Sequence, residues 1–102
     1  MMRKNIFICI LLLLFSISAW TQESVTVTGI VTDQNKEPLI GVNIAIENMP
    51  GLGVITDLNG RYKIKTSTYN KLVFSYIGYE TVNILVKEQR VINVVMKEIG
   101  RA

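Results

Sequence analysis

Residues 53–65 read Gly-Val-Ile-Thr-Asp-Leu-Asn-Gly-Arg-Tyr-Lys-Ile-Lys. Within them, Asp57-Leu58-Asn59-Gly60 has the composition of a tight turn, because an Asp side chain binds nearby backbone amides and Asn or Gly accepts positive φ. After the turn, Tyr62 and Ile64 alternate with Arg61, Lys63 and Lys65, so an extended chain here has one apolar face and one cationic face. Before it, Gly53 to Thr56 is a short strand. The stretch is a hairpin with one side buried.

The period of two continues in both directions. Upstream, Val25, Val27 and Val31 share one face of a strand over Ser24 to Thr32, with Gly29 between them where a neighbour can approach closely. Asp33 to Pro38 is a polar loop, and Val42, Ile44 and Ile46 mark a second inward face. Asn48 to Gly53, with Pro50 and two glycines, interrupts the pattern. Downstream, Leu72, Phe74 and Tyr76 mark a fifth strand and Gly78 turns the chain. Val82, Ile84 and Val86 mark a sixth, Lys87 to Arg90 a charged turn, and Ile92, Val94 and Met96 a seventh. No segment has a helical period. Seven short strands with one apolar face each predict an all-β fold, a seven-stranded antiparallel β-sandwich over residues 22–98 with a short tail at 99–102.

The first residues read differently. Met1 to Asn5 holds Arg3 and Lys4, Ile6 to Ile17 is almost wholly apolar, and the small residues Ser18 and Ala19 follow. That order predicts a secretory signal peptide over residues 1–21, with the mature chain starting at Gln22; a cut after Ala19 is the competing choice. The apolar run is shorter than the ~20 residues that span a bilayer. Cys9, the only cysteine, lies inside this run, so the exported chain carries no thiol and no disulfide, and its stability must come from packing.

At 102 residues the chain has room for one core. Its formal charge of +3 invites a nucleic-acid reading, but without Arg3 and Lys4 the body is close to neutral. Arg61, Lys63 and Lys65, with Tyr62 and Tyr69 nearby, read as a solvated strand face that guards against aggregation, since Tyr62 points away from the cations. No nucleic-acid partner is expected.

Little here suits catalysis. There is no His, and Ser24, Ser67 and Ser75 lack an activating base in the sequence. Asp33 and Asp57 both fall in turn sequences. Asp57-x-Asn59-Gly60 opens like a calcium loop, yet the twelfth position is Thr68 where a bidentate Glu belongs. Gly51-x-Gly53 starts a dinucleotide fingerprint with Thr56 in place of the third glycine and no helix after it. Tyr76 and Tyr79 suggest a sugar-stacking platform on one reading and a corner of the fold on the other; the second is favoured because they flank a strand-to-strand corner. No metal and no cofactor are expected.

Four blocks occur in order: Val27-x-Gly29-x-Val31-x-Asp33, Pro38-Leu39-x-Gly41-Val42-x-Ile44, Gly53-x-x-Thr56-Asp57-x-x-Gly60-x-Tyr62-x-Ile64 and Leu72-x-Phe74-x-x-Ile77-Gly78-Tyr79. Together they resemble the carboxypeptidase regulatory-like domain. The resemblance implies a transthyretin-like sandwich, an Ig-like arrangement of two sheets, without catalytic residues. It gives Gly29, Asp33, Pro38, Gly41, Thr56, Asp57, Gly60, Tyr62, Phe74, Gly78 and Tyr79 structural roles. With a signal peptide directly before it, the chain is similar to the N-terminal extension of SusC/RagA-type TonB-dependent outer-membrane receptors.

That similarity implies a non-catalytic binding or docking module in the periplasm or at the outer membrane of a Gram-negative bacterium. Its partner would be another protein or the remainder of a receptor chain, plug and barrel, working with the TonB system. Contact with the membrane would come only through that barrel or an uncleaved signal. The alternative is a free-standing secreted sandwich that binds carbohydrate or a cell-surface partner.

Overall fold

The computed structural model describes residues 24–100. The signal peptide expected over 1–21 and residues 101–102 of the tail lie outside them. Among the described residues seven strands form two sheets: β1 (Val25–Thr32), β2 (Asn43–Ile46), β3 (Met49–Ile55), β4 (Arg61–Thr66), β5 (Lys71–Ser75), β6 (Val82–Leu85) and β7 (Val94–Val95). The order is β4-β1-β7 in one sheet and β3-β2-β5-β6 in the other.

Alternation puts the apolar side chains between the sheets. Val27, Val31, Tyr62 and Ile64 come from the first sheet and Ile44, Ile46, Leu72 and Phe74 from the second, all buried. The rings of Tyr62 and Phe74 meet edge to face across the gap, centroids 5.4 Å apart and planes at 78°, a favoured arrangement of aromatic quadrupoles.

Four expectations need correction. The sandwich is not wholly antiparallel: β1 and β7 run parallel, with Val31 beside Val94. After β6 the chain crosses to the other sheet and joins β1 from the end where β1 begins, bonded by Thr28 N–H to the Arg90 carbonyl and Ile92 N–H to the Thr28 carbonyl. Residue alternation carries no information about strand direction, so the sequence could not reveal this. The seventh strand is also short, because the Asn93 side-chain oxygen takes the Ile30 N–H at 3.0 Å in place of a backbone carbonyl; Ile92 and Met96 are buried on either side of it all the same.

The third strand starts at Met49, not Gly53. Asn48 adopts φ 66° and turns the chain at once, and a bulge between Ala45 and Ile46 absorbs the irregular register. Pro50 falls within β3, which is an edge strand, where a residue without an N–H breaks no internal ladder. Lastly, Tyr76 lies just beyond β5 and is only half-buried. Tyr76 to Tyr79 form a turn closed by Tyr79 N–H to the Tyr76 carbonyl at 3.1 Å, with Gly78 at φ 87°.

Candidate functional site

The motif residues gather at the C-terminal end and the middle of β1. At one end two loops share the same wiring. Asp33 Oδ1 accepts from the amides of Asn35 (2.8 Å) and Glu37 (3.0 Å); Asp57 Oδ1 accepts from Asn59 and Arg61 (both 2.9 Å). In each loop the fourth residue, Lys36 or Gly60, has positive φ, 66° and 72°, and bonds back to the Asp carbonyl. Both carboxylates are thereby engaged by backbone, as their turn sequences predict. Among the described residues no group of three or more His, Cys, Asp or Glu is placed to hold a metal.

Between these loops the first three motif blocks are stitched together. Val31 N–H donates to the Gly60 carbonyl at 2.8 Å, and the Val31 carbonyl accepts from Leu39 N–H at 3.0 Å. A Cβ on Gly60 would come within 2.6 Å of that Val31 carbonyl oxygen and 3.0 Å of the Pro38 side chain, so the close approach needs glycine. Thr56, fully inside, holds the next segment: its hydroxyl accepts from Val42 N–H at 2.9 Å and donates to the Leu39 carbonyl at 2.6 Å. Gly41, at φ 82°, lets the chain bend between those two bonds. Nothing in the sequence alone pointed to this double duty of Thr56, since a threonine at a strand end is commonplace.

At the middle of β1, Gly29 pairs with Tyr62 of β4. A Cβ on Gly29 would overlap the Ile92 carbonyl oxygen and lie 2.8 Å from the Tyr62 ring. Through this slot the Tyr62 hydroxyl donates to the Ile92 carbonyl at 2.6 Å. Burial pushes its pKa up to about 12. Phe74 is wholly buried beneath the same ring. Tyr76 and Tyr79 pack their rings against each other, 5.5 Å apart and tilted by 42°, and both lean on the core; they do not lie in one plane as a sugar platform would. Burial first, then the Glu98 and Asp33 carboxylates, pushes the Tyr79 pKa up.

What is left at the surface is edges and faces. Tyr62, Ile64 and Thr66 of β4 point inward while Arg61, Lys63 and Lys65 are exposed, beside Ile30, Thr28 and Thr26 on β1. On the other sheet Ile55 of β3, and beyond it Ile77 in the turn after β5, are exposed large apolar residues, and a shallow hollow is lined by Gly41, Asn43, Ser75, Tyr76 and Ile77.

The described residues form a two-sheet sandwich of the all-β class, its motif residues lying in turns, close approaches and buried hydrogen bonds. The chain belongs to the CarboxypepD_reg-like domain family, which matches residues 27–99. Among curated proteins it is 34% identical to the TonB-dependent receptor SusC of Bacteroides thetaiotaomicron, over 96% of this chain and 10% of that protein. It is 37% identical to a TonB-dependent receptor of Formosa agariphila, over 86% of this chain and 9% of that one. The chain thus spans about a tenth of the length of these relatives. Among solved structures it resembles 3-chlorocatechol 1,2-dioxygenase from Rhodococcus opacus, with a TM-score of 0.60, 13% identity and coverage of 78% of this chain and 61% of that one. It also resembles the dioxygenase domain of a carbohydrate-binding fusion protein from a Streptomyces species, with a TM-score of 0.59, 13% identity and coverage of 80% and 84%. At such identity these two likenesses speak for the fold alone.

Proposed function

We propose that this domain is a non-catalytic docking module of the TonB-dependent receptor type, placed in the periplasm by its export signal at residues 1–21 and followed, in a complete receptor, by plug and barrel. The observation that carries the reading is the pattern of coverage: almost the whole chain aligns with a tenth of a receptor. The wiring of the motif residues supports the non-catalytic part. Asp33 and Asp57 each direct Oδ1, and Thr56 and Tyr62 their hydroxyls, to backbone partners, as residues that shape the fold do.

The test pairs two measurements on the exported chain. Calorimetry with a panel of oligosaccharides should show no binding heat, and a pull-down from envelope extract should recover a specific protein. Micromolar glycan binding that is lost in Tyr69→Ala or Tyr79→Ala, with nothing recovered in the pull-down, would replace this reading with a carbohydrate-binding one.

A further inference from the structure

Resting on the docking reading, we infer that the open edge of β4 is the docking site, and that its occupant is an extended segment of a separate protein in which acidic and apolar residues alternate. Strand β4 is the outer strand of its sheet, six residues long, and its pairing with β1 runs without a register shift from Arg61 to Thr66. Val31 N–H bonds to the Gly60 carbonyl. Counting by twos along an antiparallel ladder, Tyr62, Ile64 and Thr66 therefore turn their backbone groups to β1, while Arg61, Lys63 and Lys65 turn theirs outward. The Asp57 turn takes those of Arg61: its Oδ1 accepts the Arg61 N–H, and its N–H donates to the Arg61 carbonyl. The backbone N–H and C=O of Lys63 and Lys65 face the open edge, where an added strand can pair with them.

Side-chain chemistry then selects the strand. Its residues beside Lys63 and Lys65 would stand on the exposed face, where opposite charge is the favoured cross-strand pair. The residues between them would point inward, towards β3. That neighbour is the outer strand of the second sheet and packs against β4. Between the two edges lies a recess of about 230 Å³ whose walls include Ile46, Met49, Leu52, Lys65 and Thr66, an apolar seat beside a cation. The remaining edges suit a guest strand less well: β3 contains Pro50 and pairs with β2 across a bulge, β6 has four residues, and β7 has two. Of the described ends, Ile99 is bonded to Gly78 and is no part of the recess wall, whereas Ser24 is part of that wall but runs straight into β1, already paired with β4 on its inner side, so residues before it would have to turn around the end of β4 to reach the outer edge. A separate polypeptide therefore fits the edge better than the chain's own flanks.

The experiment titrates the exported chain with a synthetic octapeptide alternating valine and glutamate, with a peptide of the same composition whose glutamates are grouped, and with an alternating valine–lysine peptide. Amide hydrogen exchange is read in parallel. The valine–glutamate alternation should bind saturably, weaken as salt rises, and slow exchange at the Lys63 and Lys65 amides. Lys63→Glu combined with Lys65→Glu should weaken it by roughly tenfold or more, with Lys63→Gln and Lys65→Gln in between and the melting temperature little changed. Equal binding of all three peptides, protection at another strand, or tighter binding of a single-stranded oligonucleotide through the same lysines would overturn the inference. If envelope extract yields a specific partner whose capture is indifferent to the double charge reversal, docking stands and the β4 edge is wrong. If neither peptide nor partner binds, both readings fall.

Discussion

The hydroxyl of Tyr62 reaches the carbonyl of Ile92, 2.6 Å away, across a gap in β1 that exists because Gly29 has no side chain. Three residues distant in sequence are thereby one joint: Tyr62 from β4, Gly29 from β1, and Ile92 from the segment that crosses between sheets. Tyr62→Phe keeps the ring against Phe74 and removes the bond, leaving a buried carbonyl short of a donor. The expected loss is about 1 to 2 kcal/mol in a denaturant melt.

Gly29→Ala should cost more than Tyr62→Phe. The added methyl overlaps a backbone carbonyl, which cannot move aside as a side chain can, so a loss of about 3 kcal/mol or more is expected, with a partly unfolded population visible in amide exchange. A loss under about 1 kcal/mol would mean that the crossing segment is loosely held.

The joint also has a pH dependence. The Tyr62 pKa is raised by burial from 10.0 to about 12, so the neutral hydroxyl is the form that the folded state favours. Its contribution is fully present below pH 10 and is lost as pH rises towards about 12. Stability of the native chain should fall across that window, and the fall should be shallower in Tyr62→Phe. Tyrosinate absorbance compared between the native chain and Tyr62→Phe would show whether Tyr62 is a late-ionising tyrosine.

The paired turns offer an internal comparison. Gly60→Ala meets both positive φ and the Val31 carbonyl and should destabilise by about 2 kcal/mol or more. Lys36 has the same left-handed backbone without glycine's freedom, so Lys36→Asn should stabilise by about 0.5 kcal/mol. Thermal melts in which Gly60→Ala is neutral or Lys36→Asn destabilises would show that positive φ and the Val31 contact do not govern these turns.

Phe74 is the largest side chain fully enclosed by the two sheets. Phe74→Ala should cost about 3 to 5 kcal/mol, most of what a small domain can spare. A denaturant melt showing less than about 1 kcal/mol would place Phe74 outside the core and upset the register of β5 with β2.

Much of the fold was legible because strands advertise themselves locally. The alternation of Tyr62 and Ile64 with three cations fixed β4 and its inward face, and Asp57 to Gly60 announced a turn whose bonds are those its residue types favour. The carboxypeptidase regulatory-like motifs were readable for the same reason, each block being a strand and its turn. Less legible was anything needing two distant segments at once. Asn48 at positive φ shortened the expected loop before β3, a backbone choice that the Pro50 and glycine content obscured.

By itself the sequence determined seven apolar faces, their turns and a chain poor in catalytic groups, because side-chain period and turn chemistry act over a few residues. Tertiary structure alone decided that β7 runs parallel to β1, that Asn93 completes the edge of that pairing, that Thr56 ties Leu39 to Val42, and that Gly29 opens a path for Tyr62. It also decided which strands lie outermost, leaving the lysines of β4 along an open edge. Each of these is a relation between segments that meet only when the two sheets close on one core, and no local pattern specifies which segments meet.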